Sequence, residues 1–117
     1  MSYSPGTHII ATLQSPHLQR YCDYSGFKAL LANLIETHNL QQLGEVYHNF
    51  EPQGFTGVVC LSESHVSVHT WPEYGRINVD IYLSNFQRQN DGTVHAIYEA
   101  IKTYFGGTIS DEEILKR

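Results

Sequence analysis

The chain has 117 residues, with 7 lysines and arginines against 12 aspartates and glutamates and a formal charge of −5. This length is typical of one domain of roughly 100–150 residues, and 41% hydrophobic with 16% charged residues predicts a buried core rather than intrinsic disorder. Nucleic acid and anionic membranes are excluded as expected partners, because the basic residues are scattered and form no patch. No apolar run approaches the roughly 20 residues of a membrane-spanning helix, and the N-terminus has no signal-peptide pattern. We therefore expect a single cytoplasmic domain over residues 1–117.

The first half of the chain predicts a strand, a helix and two more strands. Residues 8–13 are expected to form the first strand, between two proline-containing breaks. Ser25 is a candidate N-cap for a helix that ends near Asn39, in which apolar residues recur with helical spacing. Two extended runs, 44–50 and 55–62, follow around a turn that contains a proline and a glycine.

The second half predicts two alternating strands, a helix and a short final strand. The runs at 65–70 and 77–84 each place apolar residues on one face and polar residues on the other. A helix is expected to open at Asp91 and to close at the glycine pair 106–107, before an extended piece at 108–115. The polar face of the second alternating run comprises Asn78, Asp80, Tyr82 and Ser84.

This order of elements predicts an α+β fold. The natural packing is a two-layer sandwich, with both helices on one face of a largely antiparallel sheet. The other face then has to meet solvent, a ligand or a partner chain. Two helices cannot cover both faces of the sheet in one small protomer, so we expect a homodimer.

Metal and pyridoxal phosphate chemistry are both disfavoured. His65 and His69 are the closest of the 7 histidines, but on a strand they would lie roughly 13 Å apart, too far to share one zinc ion. A pyridoxal phosphate enzyme needs a Schiff-base lysine and a phosphate-binding loop, whereas Lys28 and Lys102 fall on predicted helices and no glycine-rich loop is present. We therefore predict no metal site.

The densest run of reactive side chains lies between Glu63 and Gly75. From spacing alone, a surface strand followed by a turn would explain it equally well. A more specific interpretation comes from the motif Glu63-Ser64-His65-x-x-x-His69-Thr70-Trp71-Pro72-Glu73-Tyr74-Gly75. It resembles the signature of the small prokaryotic S-adenosylmethionine decarboxylases, which carry a pyruvoyl cofactor. The resemblance continues through Phe50-x-Pro52-x-Gly54-x-Thr56-Gly57-Val58-Val59, Val79-Asp80 and, more weakly, Gly6-x-His8.

The resemblance implies that the chain cuts itself between Glu63 and Ser64, into a β chain 1–63 and an α chain 64–117. In that family the serine hydroxyl attacks the preceding carbonyl, and the resulting ester eliminates to leave an N-terminal pyruvoyl group. Such a group forms a Schiff base with the substrate amine and accepts the electrons left by departing CO₂. The implied activity is decarboxylation of S-adenosylmethionine in polyamine biosynthesis, with spermidine as the expected end product.

Further roles are implied at positions that match the family pattern. His69 matches a histidine that assists processing as an acid or base, and Thr56 matches a hydroxyl residue that supports the same reaction. Phe50 and Glu73 match positions that stack on the adenine and accept the ribose hydroxyls.

Ser84 departs from the family pattern, because it occupies the position of a catalytic cysteine that donates a proton after CO₂ leaves. An alcohol is much less acidic than a thiol. This departure keeps two alternatives open beside S-adenosylmethionine: a pyruvoyl-dependent arginine or ornithine decarboxylase, and a non-catalytic homologue. The family resemblance also implies a dimer in which two sheets face each other.

Overall fold

The computed structural model describes residues 3–117 and places six strands in one sheet. The elements are β1 (Thr7–Gln14), α1 (Ser25–Thr37), β2 (Gln42–Asn49), β3 (Phe55–Leu61), β4 (Ser64–Trp71), β5 (Arg76–Leu83), α2 (Asp91–Phe105) and β6 (Thr108–Lys116). The strand order is β2-β3-β4-β5-β1-β6, and every neighbouring pair is antiparallel. The predicted α+β class and order of elements are confirmed. No helix among residues 3–117 has the length and hydrophobicity needed to span a membrane.

Strand alternation separates a buried sheet face from an open one. In β4, Val66 and Val68 are fully buried, whereas His65 and Ser67 are partly accessible and His69 is exposed. The helices close the buried face, and Phe27 of α1 packs against aromatic rings of both β3 and α2. The sheet therefore has one face in the core and one that is free to carry a site.

The open face mixes polar groups with exposed apolar side chains. Val46 is 66% exposed, Ile10 40% and Val58 39%. Histidines, an aspartate and a tyrosine occupy the neighbouring positions of the same face: His8, His65, His69, Asp80 and Tyr82.

The start of α1 differs by one residue from the expectation. Ser25 is the first helical residue rather than the N-cap, which is Tyr24. The carboxylate of Asp23 accepts a hydrogen bond of 2.7 Å from the Ser25 backbone N–H. A carboxylate is a good acceptor for a free N–H of the first helical turn. Asp23 therefore caps this end of the helix in place of the Ser25 hydroxyl.

Candidate active site

The predicted cleavage site lies in the tight turn between β3 and β4. Leu61 pairs with Ser64 across the hairpin, so only Ser62 and Glu63 make the connection. Ser64 has φ of +144°, a region that residues other than glycine rarely occupy and that costs on the order of 1–3 kcal/mol. Backbone strain is therefore stored next to the Glu63–Ser64 bond.

The side chain of Glu63 is fixed by a two-point contact with Arg88. Nε of Arg88 donates to Oε2 at 3.1 Å and Nη2 to Oε1 at 3.0 Å, and the same guanidinium donates to the carbonyl of Asn39. Asn90 Nδ2 also donates to Glu63. The Arg88 hydrogen bonds, helped by Asn90, lower the pKa of Glu63 against the opposing effect of burial. Glu63 is therefore held in place as a carboxylate.

Ser84 lies directly beside the carbonyl of Glu63. Its backbone N–H donates to the Glu63 carbonyl oxygen at 2.8 Å, and its own carbonyl accepts from Asn90 Nδ2 at 2.8 Å. The alternation pattern extended the strand to Ser84, but β5 ends at Leu83 and Ser84 follows it, half-buried. A donor thus already polarises the carbonyl that the Ser64 hydroxyl would attack.

The Ser64 side chain begins a chain of hydrogen bonds across β4, β5 and β1. Ser64 Oγ lies 3.2 Å from Nδ1 of His65, and Nε2 of His65 lies 2.9 Å from Oδ1 of Asp80. Nε2 of His8 reaches the same carboxylate oxygen at 2.7 Å. Burial raises the pKa of Asp80, but the two histidine hydrogen bonds outweigh it and hold that pKa below its ordinary value.

His8, His65 and Asp80 are also the types of residue that bind transition metals. Their candidate ligand atoms all lie within 4.8 Å of one another. Sequence spacing relates His65 to His69 but does not indicate this group, because β5 lies between β4 and β1 and brings residues together that are distant in the chain. In this structure the three side chains are joined by hydrogen bonds, and the absence of a metal stays a prediction.

A second cluster lies at the other end of β4. Thr56 and His69 are directly paired across β3 and β4, and Thr56 Oγ1 hydrogen-bonds Nδ1 of His69. Both line a cavity of about 280 Å³ together with Phe50 and Glu73. Phe50 is 49% exposed, so its ring is available to stack on a ligand.

The predicted site residues therefore form two clusters in one protomer. Glu63, Ser64 and Ser84 lie at the start of β4, and the His69 cluster (Phe50, Thr56, His69 and Glu73) lies near its end. His69 lies five positions after Ser64 along β4, which corresponds to roughly 16 Å of extended strand. Within one chain, His69 therefore lies far from Ser64, and its expected role in processing stays a prediction.

Comparison with known proteins gives a consistent family match. A family model described as S-adenosylmethionine decarboxylase matches residues 7–117. A protein from Sulfurihydrogenibium sp. strain YO3AOP1, named S-adenosylmethionine decarboxylase proenzyme, is 37% identical over all of this chain and 85% of its own length. A protein of the same name from Archaeoglobus fulgidus is 40% identical over 66% of this chain and 69% of its own length.

A solved structure shares the fold. The crystal structure of the adenosylmethionine decarboxylase from Aquifex aeolicus VF5 superposes with a TM-score of 0.84 at 30% sequence identity. The superposition covers 99% of this chain and 92% of that one.

Proposed function

Since the chain belongs to the S-adenosylmethionine decarboxylase family, we propose that it is a proenzyme that cuts itself between Glu63 and Ser64 and then decarboxylates S-adenosylmethionine. The observation that carries this proposal is the geometry of the turn. Ser64 is strained, its hydroxyl lies near a histidine nitrogen, and the preceding carbonyl accepts from the Ser84 N–H. We place the enzyme in polyamine biosynthesis, at the step that supplies spermidine synthesis.

The cut would leave the fold intact. β3 and β4 are hydrogen-bonded on both sides of the turn, with pairs from Thr56↔His69 to Leu61↔Ser64. All six strands also lie in one sheet, which supports a single domain over 1–117 that holds chains 1–63 and 64–117 together.

Position 64 fits the precursor of a pyruvoyl group. Its hydroxyl stands directly after a polarised carbonyl, which is what conversion of Ser64 requires. A pyruvoyl group supplies an electron sink for decarboxylation without pyridoxal phosphate. Ser84 lies beside the Glu63–Ser64 bond. Its proposed role is to donate a proton to the substrate near position 64 after CO₂ leaves.

The cavity with Phe50 and Glu73 suits an adenosyl substrate. A half-exposed aromatic ring can stack on adenine, and a carboxylate can accept the two ribose hydroxyls. The chain's charge of −5 also suits a cationic sulfonium. These side chains, with the family membership, favour S-adenosylmethionine over arginine or ornithine.

We further propose a homodimer that builds each active site from two protomers. The Ser64 end and the His69 end of β4 are too far apart to act together in one chain. Antiparallel packing of two open sheet faces would place the His69 cluster of one protomer near Ser64 of the other. The exposed Val46, Val58 and Ile10 supply apolar surface for that contact.

The free thiols fit the expected compartment. Cys22 and Cys60 are both unpaired, which supports action in the reducing cytoplasm.

The activity is tested by release of labelled CO₂ from carboxyl-labelled S-adenosylmethionine. The wild-type protein is expected to release CO₂, and the Ser64→Ala variant to release none. Carboxyl-labelled arginine and ornithine are assayed separately as alternative substrates. CO₂ release from either of these, but not from S-adenosylmethionine, would contradict the proposed substrate.

A further inference from the structure

We infer that His65 is the base that removes the Ser64 hydroxyl proton in self-cleavage, with Asp80 as its orienting partner. The inference rests on the proposed self-cleavage and assigns its first proton transfer to a residue of the same chain. Family resemblance implied a processing role for His69 and none for His65. The contact between Ser64 Oγ and His65 Nδ1, at 3.2 Å, points to the neighbouring residue instead.

One tautomer of His65 satisfies all of its contacts. The Ser64 hydroxyl can donate to Nδ1 only if that nitrogen carries no proton, which leaves the proton on Nε2. Nε2 then donates to Asp80 Oδ1 at 2.9 Å. His8 follows the same pattern, because its Nε2 also donates to Asp80 and its Nδ1 faces Nη1 of Arg117 at 3.5 Å.

Asp80 is suited to stabilise the protonated base. Its low pKa keeps it charged near neutral pH, and it lies directly against the ring nitrogen opposite the one that gains a proton. A carboxylate in that position orients the imidazole and stabilises the imidazolium. His8 is 8% exposed and fixes the carboxylate from the other side.

The step balances without a co-reactant. The hydroxyl proton passes from Ser64 Oγ to His65 Nδ1 while Oγ bonds to the carbonyl carbon of Glu63. The developing oxyanion accepts from the Ser84 N–H, which already donates to that oxygen at 2.8 Å. The carbon–nitrogen bond between Glu63 and Ser64 then breaks, and the nitrogen takes the proton from His65. The product is an ester of Glu63 on Ser64 Oγ with a free amine.

The two histidines of β4 are thereby assigned to different steps of processing. His69 bonds to Thr56 and lies roughly 16 Å along the strand from Ser64. His65 therefore serves ester formation, and the role implied for His69 belongs to a different step or to the partner protomer.

The test traps the ester with hydroxylamine. Hydroxylamine cuts the ester and leaves a 64–117 fragment with an N-terminal serine, which mass spectrometry distinguishes from the pyruvoyl form. Freshly refolded wild-type protein, His65→Asn and His65→Gln are compared. His95→Asn is the matched control, because His95 is an exposed residue of α2 outside both clusters. Circular dichroism and thermal melting show which variants are folded.

The expected result is loss of ester formation in the folded His65 variants. Each should form the hydroxylamine-sensitive product at least about 100-fold more slowly than wild type, at the lower end of general-base contributions of roughly 10²–10⁴-fold. His95→Asn should match wild type. Ester formation within about tenfold of wild type in either folded His65 variant overturns the inference while leaving the proposed function in place. A wild-type chain that never forms the ester refutes both.

Discussion

Mixing two inactive variants tests whether each active site takes residues from both protomers. Ser64→Ala removes the nucleophile from one chain, and His69→Ala removes the distant histidine from the other. In a mixed dimer, the intact Ser64 of the His69→Ala chain faces the intact His69 of the Ser64→Ala chain. One complete site is thereby restored, although neither variant is competent alone.

The expected yield follows from the arrangement of the sites. Random exchange at equal concentrations puts about half of each variant chain into mixed dimers. Each mixed dimer has one complete site, and only its His69→Ala chain carries a cleavable serine. About half of the His69→Ala chains should therefore become processed, and none of the Ser64→Ala chains.

The assay is coexpression with tags of different mass, followed by intact mass spectrometry of both chains. Each variant expressed alone provides the baseline. A His69→Ala chain that stays unprocessed in demonstrated mixed dimers would refute the shared-site reasoning. So would a His69→Ala chain that is fully processed when expressed alone.

Three further predictions address Ser84, Asp91 and Phe50. Ser84→Cys should raise turnover of processed enzyme about tenfold or more, because a thiol donates a proton more readily; equal turnover would mean that Ser84 is not the donor position. Hydrogen bonds from Thr7 and Asn85, with Lys116, lower the pKa of Asp91 from 3.8 to about 2. The charged Asp91 carboxylate therefore stabilises the folded state above pH 3.8, and this stabilisation is lost as the pH falls toward 2. Because the side chain is 40% exposed, Asp91→Asn should cost only about 1 kcal/mol in thermal melts at neutral pH and less near pH 2; an equal loss at both pH values would contradict this. Phe50→Ala should raise KM for S-adenosylmethionine about tenfold, since stacking on a base contributes roughly 1–3 kcal/mol, and an unchanged KM would remove Phe50 from the adenine site.

Local patterns predicted the elements of this fold because each depends on neighbouring residues. Alternation in β4 separated buried Val66 and Val68 from His65 and His69, and the structure has the same two faces. The closing glycine of α2 was also predictable, because Gly106 takes the left-handed conformation with φ of 63°. The Asp23 contact at the start of α1 was not predicted, because aspartate and serine are about equally favoured at helix N-termini and both stand at this boundary.

Long-range contacts of the candidate site could not be predicted in the same way. The meeting of His8, His65 and Asp80 depends on the strand order β4-β5-β1, which no local spacing specifies. The distance between Ser64 and His69 was predictable from the sequence, because the rise per residue of an extended strand also gives the distance between His65 and His69. Family resemblance relates the two residues by role and carries no information on the distance between them.

The central claim, that this chain is a self-processing proenzyme, is tested most directly by the intact mass of the purified wild-type protein. We expect two species, a 1–63 chain ending in Glu63 and a 64–117 chain lighter by one ammonia than the same chain with N-terminal serine. The Ser64→Ala protein should give only the uncut mass. A single uncut mass for the wild type after days at neutral pH would contradict the account and favour a non-catalytic homologue.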